Sequence, residues 1–301
     1  MEPPKISLIA SASRPENWMG LYESIGENET AFELVFVGPN APKEDLPENF
    51  IYIKSNVKPA QCWEIAARHA TGELLMYFAD DLLFITDRPI DKVYQLYTEK
   101  VRENDKIIVS LNYHLPYGWN RLIQDDINSP VTPLAGSLSA SLWHEIGGID
   151  KNFIALGWDL DLTMRVYSLG GEVVMSDVYV GEEVELPDKP RSRGSRLLSD
   201  HKTTDIARVH HLWLTDGKPH FDRALPVEPL LDADMLIRSQ PPQGRWSHES
   251  DFVSKFITSS IYYRLKYWRS GVAGRLDRFR IRKIPTYVRK LLDKNAGNIN
   301  G

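Results

Sequence analysis

Apolar residues in this chain gather in short blocks, and the stretches between the blocks repeat apolar residues at helical spacing. Residues 6–10, 33–37, 50–54 and 74–79 read as strands. The last is apolar at every position, from Leu74 to Ala79, as expected for a strand covered on both faces in a mostly parallel sheet. Between the blocks, the chain from Glu16 reads as a helix with Leu21, Tyr22 and Ile25 inward. Residues 59–70 read as another, with Cys62, Ile65, Ala66 and His69 at helical spacing. Strands linked by helices predict a right-handed parallel α/β sheet. Downstream the pattern predicts a helix over 89–103, with Val93, Leu96, Tyr97 and Val101 inward, and strands over 106–111, 137–143 and 172–180. A helix over 159–169 carries Leu162, Val166 and Leu169 as its buried stripe and closes at Gly170-Gly171. Residues 112–133 read as a loop-rich insertion. Residues 187–202 have no apolar periodicity and read as a loop, with His210-His211 on a strand beyond.

Charge divides the chain. The last 51 residues, 251–301, hold 12 Lys/Arg and 3 Asp, a net of +9; the preceding 250 hold 24 basic and 38 acidic residues, a net of −14. The basic segment is helical in pattern and interleaved with Phe256, Tyr262, Tyr267 and Trp268, which suits an anionic membrane surface. Packing against the acidic body or a neighbouring subunit is the rival. No base-reading motif is present, so nucleic acid ranks last. The division expected is a domain over 1–220 and a helical extension over 221–301, basic from about 251. A single cysteine, Cys62, excludes an intrachain disulfide framework and a multi-cysteine zinc site. No basic start followed by an apolar core marks a signal peptide, and no apolar run nears the roughly 20 residues of a membrane span. A cytoplasmic location, peripheral at the inner membrane face through the tail, is the expectation.

The chemistry centres on Asp80-Asp81, two carboxylates directly after the fully apolar strand. Acids between apolar blocks are costly unless something positive meets them. At the carboxyl end of a parallel strand they suit Mg²⁺ or Mn²⁺ carrying a nucleotide diphosphate, and a solvated turn is the plainer reading. Ala10, Ser11, Ala12 and Arg14 lie between the first strand and its helix, a place for a nucleotide or phosphate. Asp159 and Asp161 lie about 200° apart around their helix, so they face different neighbours. Asp161 can pair with Arg165 four residues on, which leaves Asp159 to face a cleft or cap the helix. Tyr117 and Trp119, in the insertion, suit a sugar face, or pack on their own loop. Arg191 and Arg193 could cover a diphosphate.

These stretches resemble the GT-A fold of family 2-like glycosyltransferases. Residues 62–73 resemble the helix before the family's acidic motif, and Tyr77-Phe78-Ala79-Asp80-Asp81 resembles that motif. Residues 146–150, Ile-Gly-Gly-Ile-Asp, followed by Gly157-Trp158-Asp159-Leu160-Asp161-Leu162 and Arg165, resemble the stretches near its acceptor site. The likeness spans about residues 5–180. It implies a GT-A-type, Rossmann-like nucleotide-binding domain that moves a sugar from a nucleotide-sugar, UDP-linked first and GDP-linked next. The acceptor is a hydroxyl of a saccharide or lipid-linked acceptor, and the anomeric centre inverts. Asp159 is then the general base. Asp81 and Asp80 bind Mn²⁺ or Mg²⁺, with His210 or His211 in the place of a later metal-binding histidine. Donor contacts fall to Ala10, Ser11, Ala12, Arg14, Asn40, Gln61, Asp80, Arg191 and Arg193, and acceptor contacts to Tyr117, Trp119 and Trp158. The sequence departs from the family at Gly38-Pro39-Asn40, where an Asp is usual, and at Cys62-Trp63-Glu64, where Ala-Arg-Asn is usual. A degenerate binding module and a nucleotidyltransferase are the alternatives. The latter would carry a glycine-rich loop after the first strand, and residues 11–15 contain no glycine.

Overall fold

A computed structural model describes residues 3–227 except 56, 58, 116–118, 122–131, 183–193, 217 and 226. Tyr117, Arg191, Arg193 and the basic tail lie outside the described residues. So do the side chains of Trp119 and of the other residues in 113–121, 182 and 194–203.

Nine strands form one sheet. In chain order they are β1 (Ile6–Ser11), β2 (Phe32–Gly38), β3 (Phe50–Lys54), β4 (Leu74–Tyr77) and β5 (Leu82–Phe84). They continue with β6 (Ile107–Leu115), β7 (Trp119–Arg121), β8 (Gly136–Ser139) and β9 (Glu172–Glu182). The spatial order is β3-β2-β1-β4-β8-β6-β9-β5, with β7 on β6. Pairing directions make β1, β2, β3, β4, β6 and β9 run one way and β5, β7 and β8 the other. The expected mostly parallel sheet is therefore present, parallel without interruption from β3 to β4. Between Ser110 and Asn112 the β6–β9 register shifts, a bulge of the kind that bends a strand.

Strand alternation sends side chains into two cores. Ile6, Leu8, Leu34, Phe36, Leu74 and Met76 face α1 (Pro15–Ile25) and α3 (Pro89–Lys100). Ile9, Val35, Leu75 and Tyr77 face α2 (Pro59–His69), α4 (Ala140–Glu145), α5 (Trp158–Ser168) and α6 (Gly194–Trp213). That double burial is why β4 is apolar at every position. Ser7 is the buried polar residue of β1, and its hydroxyl donates to buried Glu33 at 2.6 Å.

Three local expectations need correcting. The strand expected over 137–143 stops at Ser139, whose Oγ accepts the Leu142 N–H at 3.1 Å and caps α4. The insertion expected from residue 112 begins as the end of β6, which pairs with β7. The loop expected over 187–202 is helical from Gly194, so His210 and His211 stand on a helix and not on a strand. In α6 the buried stripe of Ile206, Ala207, Val209 and Trp213 is interrupted by buried Asp205 and His210, which hides its periodicity.

Candidate active site

Because β1, β2 and β4 are parallel neighbours, their carboxyl ends lie side by side. The chain leaves β1 through Ala12, Ser13 and Arg14 into α1, and leaves β4 through Phe78 and Ala79 into the acidic pair. Asp80 is only 1% exposed. Its Oδ2 accepts the backbone N–H of Ser13 at 2.7 Å and of Arg14 at 2.8 Å, with the Trp18 indole N–H at 3.4 Å. Its Oδ1 accepts Arg14 Nε at 2.9 Å and Arg14 Nη2. Arg14 gives α1 no side-chain cap, so Asp80 supplies the anion at that helix N-terminus, where the helix dipole favours one. The N–H groups of Ser13 and Arg14, in the cradle expected to receive a phosphate, are thus spent on the protein's own carboxylate.

Arg14 also reaches Asp81 through Nη1, and both of these side chains are 32% exposed. Burial drives the Asp81 carboxyl up; Arg14 draws it down and Asp80 pushes it further up, and the result lies above the usual carboxylate range. The Arg14 guanidinium is held above its ordinary value: burial opposes this, and the two aspartates outweigh it.

The loop is braced on its other side. Asn40 Nδ2 donates to the Ser13 carbonyl at 2.7 Å, and the Ala12 N–H donates to Val37 O at 2.8 Å. A Cβ on Gly38 would lie 1.5 Å from the Ala12 carbonyl oxygen, so close backbone approach demands glycine there. Ala10 and Ala12 are buried. Ser11 hydrogen-bonds the Cys62 thiol, which burial nevertheless pushes up to about 12; this is an inert cysteine. Gln61 is wholly buried, and neither amide atom has a partner among the described residues.

Asp159 comes to the same strand end from the other core. It stands in the first turn of α5, after Gly157 in the left-handed conformation, and is 9% exposed. Its Oδ1 accepts the Leu160 N–H at 2.9 Å. It lies close enough to Tyr77 that its charge, after burial, helps hold that phenol well above its ordinary value. Tyr77 is three residues before Asp80. Trp158 is buried, its ring 4.7 Å from that of Trp63 and 5.5 Å from that of Tyr77, so both neighbours compete for its faces.

Asp161 faces elsewhere, as its spacing predicts. It accepts Arg165 Nε at 3.0 Å, the Trp213 indole N–H at 2.8 Å and Arg223 Nη1. Arg223 also reaches Asp150, which accepts Arg208 Nη2 at 3.2 Å. Asp205 on α6 accepts the backbone N–H groups of Ile154, Ala155 and Leu156 at 3.2, 2.7 and 2.9 Å. Three arginines and three aspartates thus tie α5, α6 and the chain after residue 220 together. No local spacing in the sequence marks the contacts of Arg14, Asp205, Arg208 and Arg223, which span 49 to 73 positions.

Among the described residues no group of three His, Cys, Asp or Glu converges as a metal site. His210 is buried in α6 and His211 exposed. A carboxylate has about four acceptor positions. Asp80 already meets five N–H donors, so it offers a cation nothing. Asp81 spends one oxygen on Arg14 and is part exposed, which fits a hard divalent cation held by one carboxylate together with substrate phosphates.

No protein-family model and no curated protein matches the chain. Among solved structures it is similar to the mannosyltransferase PcManGT from Pyrobaculum calidifontis in complex with GDP-Man and Mn²⁺. That likeness has 14% identity over 70% of this chain and 64% of that one, with a TM-score of 0.47. It is also similar to S. aureus TarS 1-349 in complex with UDP-GlcNAc, at 16% identity over 68% and 71% and a TM-score of 0.43. TarS 1-349 in complex with UDP gives 15%, 69%, 72% and 0.42. Likenesses at this level are of outline and carry no residue correspondence.

Proposed function

We propose that the chain is a GT-A-type glycosyltransferase that moves a sugar from a nucleotide-sugar to an acceptor hydroxyl with inversion. One observation carries this reading. Two stretches singled out by the resemblance, Asp80-Asp81 and Trp158-Asp159, lie almost 80 positions apart in sequence. Trp158 and Asp159 adjoin Tyr77, the last residue of β4, and Asp80-Asp81 follow it by three and four positions, at the carboxyl end of a parallel strand, where α/β sheets place their ligands.

Asp159 takes the proton from the acceptor hydroxyl as that oxygen attacks the anomeric carbon and the nucleoside diphosphate leaves. The Leu160 N–H orients Asp159 in the first turn of α5. Asp81 would hold Mn²⁺ or Mg²⁺, whose chemistry is to offset the charge of the leaving diphosphate. Asp80 fixes the loop over 11–14 against which the donor lies, with Asn40 bracing it. UDP- and GDP-sugars are the proposed donors, and a saccharide or lipid-linked hydroxyl is the proposed acceptor. Among the described residues no helix is long and apolar enough to cross a membrane. The proposed membrane contact, at an inner face, belongs to the basic tail.

Calorimetric titration with UDP and GDP in the presence of Mn²⁺, followed by a transfer assay, tests the reading. The wild-type chain should bind one of them. Asp159→Asn should bind it equally while losing about 10²- to 10⁴-fold in transfer, the range for a general base. Near-wild-type transfer by Asp159→Asn would remove the base assignment. Failure of the folded chain to bind either nucleotide would favour a non-catalytic module.

A further inference from the structure

We propose that Arg14 is the resident counter-ion of the acidic pair and competes with a divalent cation for Asp81. The inference rests on the transferase reading for its second half only, the handling of the diphosphate. Its starting point is the unequal hold on the two carboxylates. Asp80 is nearly inaccessible and is fixed by two backbone N–H groups as well as by Nε and Nη2 of Arg14. Asp81 is one-third exposed, and its bond to Arg14 runs through Nη1 alone. A cation arriving from solvent therefore meets Asp81 and has to displace Nη1 from it, while the Asp80 contacts stay.

Charge gives the exchange a direction. Arg14 with two carboxylates leaves the cluster one negative charge in excess, which attracts a divalent ion. With the ion bound the cluster is one positive charge in excess, the sign a diphosphate requires. Of the five N–H groups of a guanidinium, two are held by Asp80. Release of Nη1 from Asp81 leaves three for phosphate oxygens, on a side chain that is part exposed. Arg14 is thus a positioning residue: without a metal it offsets half the charge of the acidic pair, and with one it turns toward the anion.

The test is titration of the full chain with Mn²⁺, alone and at saturating UDP or GDP. Arg14→Gln removes the competitor, so its Mn²⁺ affinity should rise by at least about tenfold, as loss of an adjacent unit charge requires. Arg14→Lys should fall between, and Asp81→Asn should bind no Mn²⁺. In the second arm Arg14→Gln, though tighter for metal, should bind UDP or GDP with Mn²⁺ about tenfold more weakly. A merely structural Arg14 would weaken both. If Arg14→Gln does not fold, nitrogen-15 spectra of the wild-type arginine side chains during Mg²⁺ titration decide: the Arg14 Nη1 signal should move and Nε stay. Unchanged or weaker Mn²⁺ affinity in folded Arg14→Gln, or an unmoved Nη1 at saturating Mg²⁺, overturns the proposal. Absence of UDP and GDP binding in every protein would overturn the transferase reading while the Mn²⁺ comparison still decides the competition.

Discussion

Two arginines show how unequal ion pairs are. Arg88 bonds Glu29 and Asp91 with a side chain that is 46% exposed, where solvent screens the pair and leaves it little net effect. Arg223 is 10% exposed and joins Asp150 to Asp161, which are almost wholly buried. Removing it strands buried carboxylate charge, for which about 3–5 kcal/mol is the usual cost. Trp213 and Arg165 still serve Asp161, and Arg208 still serves Asp150, so the lower end of that range is expected. Denaturant unfolding of Arg223→Gln should show a loss of about 3 kcal/mol, and Arg88→Gln a far smaller one. Equal losses would mean that the cluster is not a unit. The same contrast marks what residues disclose from sequence alone. The pair of Asp161 with Arg165 is legible because four positions on a helix bring the two together. That Asp80 needs a positive partner is legible from its apolar flanks. That the partner is Arg14, or that Asp161 also takes Arg223, is decided by the path of the chain and not by spacing.

Between residue and fold stands the segment 154–157, which delivers Trp158 and Asp159. Its backbone N–H groups are held by one side chain of α6, Asp205. Burial pushes the Asp205 carboxyl up to about 6, against those three N–H groups and Arg208. The folded chain therefore holds this proton more tightly than the unfolded chain, where an aspartate titrates near about 3.9. Folding takes up a proton between those values, so this contribution to stability is largest below the unfolded value and is lost as pH rises through about 6. Asp150 acts in the opposite sense. Burial raises it, Arg208 and Arg223 more than reverse that, and its contribution is lost only as pH falls through its depressed value. Asp81, also raised, contributes in the same direction but is common to a variant at 205. Unfolding free energy measured between about pH 5 and 7 should thus fall more steeply in the wild type than in Asp205→Asn. Parallel slopes would show that Asp205 does not titrate there. The helix that carries this group is the element least visible in the sequence. Asp205 and His210 interrupt its apolar stripe, so polar groups placed inside read as groups placed outside.

At the scale of the whole molecule, the parallel half of the sheet is legible because its strands are apolar on both faces. Both cores exist to receive them, α1 and α3 on one side and α2, α4, α5 and α6 on the other. Strands β5 and β7 are three residues each and β8, which lies between β4 and β6, is four, too short to show a period. The division of charge is visible only at this scale too. Residues 1–250 carry −14 and residues 251–301 carry +9. Each Lys or Arg near an anionic bilayer contributes about 1 kcal/mol, so a third of the tail's excess would supply about 3 kcal/mol, and charges more than about 10 Å from the surface are largely screened at 0.1 M salt. The interleaved Phe256, Tyr262, Tyr267 and Trp268 add apolar contact that salt does not screen. The full chain should sediment with vesicles containing phosphatidylserine and not with neutral ones, and raising salt should reduce the bound fraction severalfold without abolishing it. A chain ending at residue 250 should stay in solution with both kinds of vesicle. If the shortened chain binds anionic vesicles as well as the full one, the contact lies on the acidic body, where charge opposes it, and the tail has another task.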